Sequence, residues 1–330
     1  MRERRSHPEA GTAPGGARGP TAAVDAGPPA QAERSRRQSI RSAFDRAAAS
    51  YDEAAHVQRE ICARLARFAS AHGLHTSAPA GAPLLDAGCG TGFGLEALAQ
   101  RSPDAPRIAL DLAPSMLKQA GRRHARARAT SNPAATAECA DAARAGTADK
   151  ASAWLAVCGD LEHLPLAGDS LALIWSSLAV QWCDPGRALA ECARVLAPGG
   201  VALVATLGPR TLWELREAFA LIDGARHTID FHPAPGWMRA AQAAALTPVA
   251  HDTVELHACA SDLRGLLQDI KRIGAATVDG GRRRQPLGRA AWARLQTSYE
   301  CHRLPDGRLP ATYDVILLAL RKPLQPARSR

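Results

Sequence analysis

The sequence predicts an α/β protein, a doubly wound and mostly parallel sheet with helices on both faces. Three observations lead there. Between positions 84 and 206 short apolar runs alternate with helical stretches, the pattern of successive β-α-β units. The first run, Leu84–Asp86, ends in closely spaced glycines that lead into a helix at Gly94–Gln100. A last apolar run, Tyr313–Leu320, stands apart near the C-terminus, and no internal repeat competes with this reading.

Taken in order, residues 1–38 are Ala, Gly, Pro and Arg with almost no large apolar side chain, so they cannot offset their ordering entropy and are expected to form a disordered tail. Its arginines suit a transit peptide, but Glu3, Glu9, Asp25 and Glu33 and the Gly-Pro content oppose that and favour a plain tail. From Ile40 to Ala71 the pattern turns helical: Phe44, Ala48 and Tyr51 share one face, and Val57, Ile61, Leu65 and Phe68 continue as a stripe. Pro and Gly at 78–83 break it. Strands follow at Leu84–Asp86, Arg107–Asp111, Trp154–Cys158, Leu171–Ser176 and Val201–Thr206, with helices at Pro114–His124 and Pro185–Leu196 and a turn at Ala197–Gly200. Residues 125–153 lack apolar anchors and are expected as a surface insertion. Residues 210–260 are expected to be helical and broken by prolines, with further helices at 262–273 and 288–298. The domain scheme is a tail (1–38), one domain over 39–320 with its core at 80–208 and a substrate or lid region at 210–308, and a basic tail at 321–330.

The chain of 330 residues carries a net charge of +9, which by itself suggests nucleic acid. The excess is concentrated in residues 1–41, 121–153 and 321–330, leaving the remainder slightly negative, and aromatics are only 4%, too few for a base-stacking surface. Neither nucleic acid nor a membrane is therefore expected as a partner, since no apolar run approaches the roughly 20 residues of a span. The eight cysteines are scattered, without a CxxC pair, and no hydrophobic signal core leads the chain. These features point to reduced thiols, no metal site and the cytoplasm.

The sharpest motif is Leu84-Leu85-Asp86-Ala87-Gly88-Cys89-Gly90-Thr91-Gly92. A dinucleotide loop needs its third glycine where Phe93 stands, and the Gly-Lys-Ser/Thr of a P-loop is absent. Asp86 just before the loop suggests instead a positively charged ligand. This D-x-G-C-G-T-G run resembles motif I of the class I S-adenosylmethionine-dependent methyltransferases. The resemblance implies a seven-stranded Rossmann-like sheet with a helical lid and S-adenosylmethionine as co-substrate. It places Gly88, Gly90 and Gly92 in the cofactor loop, Asp111 (followed by Leu112) at the ribose hydroxyls, and Asp160 and Leu161 at the adenine. Ser177 would lie beside the methionine part.

Four further stretches narrow the family. Ala43–Asp52, Ser177–Cys183, Asp269–Ala275 and Leu309–Val315 resemble segments of the malonyl-[acyl-carrier protein] O-methyltransferases of biotin synthesis. That likeness implies that Tyr51 closes on the cofactor and that Phe44, Trp182, Lys271 and Arg272 face the substrate. The implied reaction methylates the free carboxylate of a malonyl thioester, masking its charge so that the chain can prime pimeloyl assembly. A carboxylate is already ionised near neutral pH, so no catalytic base is expected, only a cation or hydroxyl to hold it. Segment 264–308 carries ten basic and four acidic residues, and with Arg282–Arg284 it is expected to dock an acidic acyl carrier protein. Two other readings stay open at this point: a methyltransferase for another small acid or a quinone ring, and a protein similar to a complex I assembly factor that hydroxylates arginine.

Overall fold

The computed structural model describes residues 28–75, 77–131, 154–274 and 287–324. Seven strands form one sheet in the order β3-β2-β1-β4-β5-β7-β6. They are β1 Leu84–Ala87, β2 Arg107–Asp111, β3 Trp154–Cys158, β4 Leu171–Ser177, β5 Leu196–Leu207, β6 Thr247–Ala260 and β7 Leu309–Arg321. Strands β1 to β5 pair in parallel, whereas β7 runs antiparallel between β5 and β6. The helices are α1 Pro28–Ala47, α2 Tyr51–Ala54, α3 His56–Ala71, α4 Phe93–Arg101, α5 Pro114–Ser131, α6 Pro185–Val195, α7 Trp213–Ala220, α8 Ala234–Ala243, α9 Leu263–Arg272 and α10 Arg289–Tyr299.

The central strands are apolar on both faces because both faces are covered. Leu85, Ile174, Val204 and Leu318 point to one side, where Leu189 and Val195 of α6 and Trp237 of α8 meet them. Their neighbours Leu84, Leu173, Leu203 and Leu317 point to the other, against Ile61, Leu65 and Phe68 of α3 and Leu98 of α4. A third cluster joins α7, α9 and α10 to the start of β7 through Phe219, Leu266, Ile270 and Leu295. There the Tyr299 hydroxyl donates to the Pro310 carbonyl at 2.8 Å.

The structure corrects the sequence expectations at five places. Residues 28–38 are not tail but the opening of α1, held by charge more than by apolar burial: Arg37 reaches Asp160 at 3.0 Å and Glu162 at 2.7 Å. Residues 1–27 of the expected tail lie outside the described residues. Residues 125–131 extend α5, and the rest of the insertion to 153 lies outside the described residues. Residues 247–260, expected as helix, form β6, an edge strand whose alternate residues Val254, Leu256 and Ala258 turn inward while His251, Thr253 and Glu255 face outward or sideways. Ala197–Gly200, expected as a turn, is an irregular opening of β5, where the register with β4 jumps from Leu171↔Leu196 to Leu173↔Val201. At the far end Arg321 closes β7 and the Lys322 ammonium donates to Asp169 and to the Ala193 carbonyl, both at 2.6 Å, so the expected basic tail begins later than 321. No helix among the described residues is long and apolar enough to cross a membrane.

Candidate functional site

The C-terminal ends of β1, β2 and β4 converge on one crevice, the place where open α/β sheets bind ligands. The loop after β1 is pinned to β2, since the Gly88 and Cys89 amides both donate to the Leu110 carbonyl, at 2.7 and 2.9 Å. Gly88 has φ +73°, and a Cβ there would stand 2.2 Å from the Ala179 Cβ, so this turn has room for glycine alone. Gly90, at φ +52°, has nothing within 4 Å of the place a Cβ would fill, which leaves its backbone open to the crevice. Gly92 does not line the crevice; its left-handed φ of +94° starts α4.

Two carboxylates at the strand ends face this crevice, Asp86 buried and Asp111 partly buried. Asp111, at the end of β2, accepts from the Gly90 amide and the Ala113 amide, both at 2.8 Å. Burial raises its pKa to about 6, with those backbone bonds pulling the other way. Asp86 is 2% exposed, and burial, with Asp111 nearby, pushes its pKa to about 8. Its Oδ2 has no hydrogen-bond partner, which in a buried carboxylate marks an unfilled role.

The N-terminal helices close over this crevice and are latched at three points. Arg37 holds Asp160, whose other oxygen accepts from the Glu162 amide at 2.9 Å, and the buried Glu162 also accepts from the Asp184 amide at 2.8 Å. Asp45 accepts from the Ser115 amide at 3.0 Å. Asp52 accepts from the Thr91 hydroxyl and pairs with Arg123, both at 2.6 Å, and Arg123 lies 4.0 Å over the Phe93 ring.

Beyond the crevice lies a second cavity under α7 and α9. The two share a wall of Phe44, Tyr51, Gln58, Leu178 and Trp182. Phe44 and Trp182 meet edge to face at 5.6 Å. Burial pushes the Tyr51 hydroxyl pKa well up, so the ring stays neutral. Leu178 sits at φ +58°, a strained position for a branched side chain. It is held there by its amide donating to Ala205 at 2.8 Å and by the Gln181 amide donating to its carbonyl at 2.7 Å. The second cavity is mostly apolar, with Gln58, Gln181, Thr211, Arg226, His227 and Thr228 as its polar side chains besides the tyrosines. His227 stacks on Phe219 at 3.6 Å and bonds to Asp223 at 2.8 Å.

Every residue expected at the cofactor except Gly92 lines the crevice, as do Phe44 and Trp182. Lys271 and Arg272 line neither space: Lys271 borders a separate surface groove, and Arg272 is exposed and 3.6 Å from Asp269. Arg282–Arg284 lie outside the described residues. Sequence reasoning missed Arg37, Asp52, Leu178 and Arg226. It also missed the Asp223–His227 contact, whose i, i+4 spacing was its one available signal. Among the described residues no group of three or more His, Cys, Asp or Glu is placed to hold a metal ion.

A family model described as a methyltransferase domain matches residues 85–204, the span from β1 to β5. A malonyl-[acyl-carrier protein] O-methyltransferase of Dechloromonas aromatica is 45% identical over 286 residues, covering 86% of this chain and 94% of that relative. The chain belongs to the malonyl-[acyl-carrier protein] O-methyltransferase family. A second family member, from Laribacter hongkongensis, is 43% identical, with 84% of this chain and 86% of that one covered. The biotin biosynthesis bifunctional protein BioHC of Teredinibacter turnerae is 34% identical over 89% of this chain and 48% of its own length. The crevice and the mostly apolar cavity behind it adjoin across one wall, so this family member has two connected spaces at the ends of its parallel strands.

Proposed function

We propose that the protein transfers a methyl group from S-adenosylmethionine to the free carboxylate of a malonyl thioester borne on an acyl carrier protein. The geometric observation that carries methyl transfer is the shared wall: a crevice built for a cation opens onto an acceptor cavity across Phe44, Tyr51 and Trp182. The malonyl substrate and the place in biotin synthesis come from the family. We place the protein in a reducing compartment, the cytoplasm, a reading that the seven free cysteines among the described residues support.

The residues present fit S-adenosylmethionine. Asp86 offers an orphaned buried carboxylate oxygen to a cationic group, Gly90 leaves an open cradle, and Asp111 has lone pairs left for ribose hydroxyls. Asp160 and Leu161 take the adenine end, and Ser177 and Tyr51 the methionine end. When bound, the cofactor supplies an electrophilic methyl group on a sulfonium. The protein's part is to align the acceptor with it and to keep water out, through the aromatic wall and the latched α1 and α2.

The raised Asp86 pKa, about 8 and caused mainly by burial, makes cofactor binding pH-dependent. Between the ordinary carboxylate range and pH 8 the empty folded protein holds more protons than the unfolded chain, so Asp86 erodes its stability as pH rises through that window. A cationic ligand favours the carboxylate, so binding at pH 7 releases a proton and tightens from pH 6 to 8. Calorimetry in buffers of different ionisation enthalpy measures that proton, and in Asp86→Asn the part due to Asp86 disappears.

On the acceptor side the carboxylate needs a cation but not a base. Arg226 is the arginine that lines the second cavity among the described residues. It pairs at 2.9 Å with Asp230, which is 78% exposed and so a weak competitor for a carboxylate arriving inside the cavity. We assign Arg226 to the malonyl carboxylate. Arg272, exposed at the basic end of α9, belongs to the surface that steers the acidic carrier protein.

The deciding experiment incubates the protein with methyl-labelled S-adenosylmethionine and malonyl carrier protein. Base-labile methyl ester on the carrier is the expected product; absence of label with cofactor binding intact rejects the reading. A second reading, methyl transfer to a quinone ring, draws on the His227–Asp223 pair in the cavity wall, because a ring carbon needs a base. Base-stable label on a ring acceptor, with none on the carrier, is its signature.

A further inference from the structure

A surface groove separates α9 from α10. Arg264, Lys271, Arg289 and Trp292 border it, and Leu267 and Leu287 form its apolar floor. The same two leucines line the acceptor cavity, so groove and cavity share a wall. On α9 the groove side carries Arg264, Gln268 and Lys271 at i, i+4 and i+7, all exposed, while Leu263, Leu266 and Ile270 on the opposite stripe are buried. Arg264 and Lys271 therefore stand about 10 Å apart along one edge. The Arg264 guanidinium lies 5.5 Å from the Trp292 ring centre, which keeps it over the groove.

Among the described residues the charge here is uncompensated. No acidic residue borders the groove among the described residues, and none of these lies in ion-pair reach of Arg264, Lys271 or Arg289. Nearby arginines behave differently: Arg303 is paired with Glu300 at 2.6 Å and Arg308 with Asp306 at 2.7 Å. Three free cations above an apolar floor suit an anion carried on an extended, partly apolar chain.

We propose that this groove seats the arm that carries the thioester, with Arg264, Lys271 and Arg289 gripping the arm's phosphodiester and the Leu267–Leu287 floor leading its pantetheine part into the acceptor cavity. The inference rests on the malonyl-carrier reading above and adds to it a phosphate site separate from the face that meets the carrier's body. A guanidinium pair and an ammonium recognise a phosphodiester through charge-assisted bonds, and Trp292 offers a flat apolar surface to the chain beyond it.

The test compares malonyl-phosphopantetheine with malonyl-pantetheine, which lacks only the phosphate. For the wild-type protein the phosphate should lower KM by about tenfold or more, the scale of charge-assisted contacts in a groove open to solvent. In the triple variant Arg264→Gln, Lys271→Gln, Arg289→Gln that ratio should collapse to near one, while kcat and KM for malonyl-pantetheine hold, which also reports an intact fold. A ratio that survives the triple substitution overturns the proposal, as does equal KM for both substrates in the wild type. So does a KM increase confined to the intact carrier protein, which would place the carrier's body in the groove. A wild type inert toward every malonyl thioester overturns the parent reading and this one with it, whereas turnover with an unchanged ratio overturns this one alone.

Discussion

Asp111→Ala should lower affinity for S-adenosylmethionine by at least about a hundredfold while leaving the sheet folded. The Asp111 carboxylate does two things at once. It accepts the Gly90 and Ala113 amides at 2.8 Å, which fixes the glycine loop, and it lines the crevice where ribose hydroxyls need an acceptor. Each lost charge-assisted bond costs about 1.5–3 kcal/mol, and two such losses already exceed a hundredfold in affinity.

The fold should tolerate the change because Asp111 is a costly group to keep. Burial raises its pKa to about 6, above the unfolded value. Whatever stability its neutral form contributes is therefore present at low pH and lost as pH rises toward 6. At pH 7 alanine removes a desolvated charge and relieves the repulsion that helps raise Asp86, against the loss of two backbone bonds. Titration calorimetry should show binding lost, and thermal unfolding without cofactor should shift by only a few degrees. An unchanged dissociation constant would remove Asp111 from the site. Asp111→Asn, which keeps the acceptor oxygen but not the charge, should fall between the two.

The residues around Asp111 were legible in the sequence because local rules fix them. Leu84–Ala87 is an apolar run that only a covered parallel strand buries on both faces, and the spacing of Gly88, Gly90 and Gly92 follows from a loop that must touch β2 and leave room for a ligand. The failures have an equally physical cause. Strand β6 lies at the sheet edge, so Val254, Leu256 and Ala258 are only partly buried; they alternate with Thr253, Glu255 and His257 in a period-2 run too short to outweigh the Ala-rich helical stretch before it. Helix α1 has little apolar face; the residues that hold it, Asp160, Glu162 and Arg187, are more than a hundred positions downstream, where no local pattern can announce them. Lys271 and Arg272 matched a family stretch, but the stripe of α9 that faces the cavity is Leu267, Ile270 and Ile273, which leaves the basic pair outside. Arg226 sits in a connection between α7 and α8 without a motif of its own.

Arg226→Gln should cut kcat/KM for the malonyl substrate by on the order of a hundredfold, and nearly all of the loss should appear in KM. The sign of that division follows from the charges. In the ground state a full carboxylate meets the guanidinium; in the transition state the carboxylate charge is being spent on the new C–O bond, and the product ester is neutral. A cation beside it thus binds the ground state more tightly than the transition state. Removing it weakens binding and leaves kcat level or slightly higher. The same reasoning explains product release, since the methyl ester no longer pairs with Arg226 and its affinity should be indifferent to the substitution. Arg226→Lys, which keeps a charge but loses the two-pronged contact, should recover part of the KM. Cofactor affinity should not move in either variant, because Arg226 lines only the acceptor cavity. A fall in kcat at constant KM would assign the carboxylate to other groups of that wall, such as Thr211 or His227, and leave Arg226 to its surface pair with Asp230.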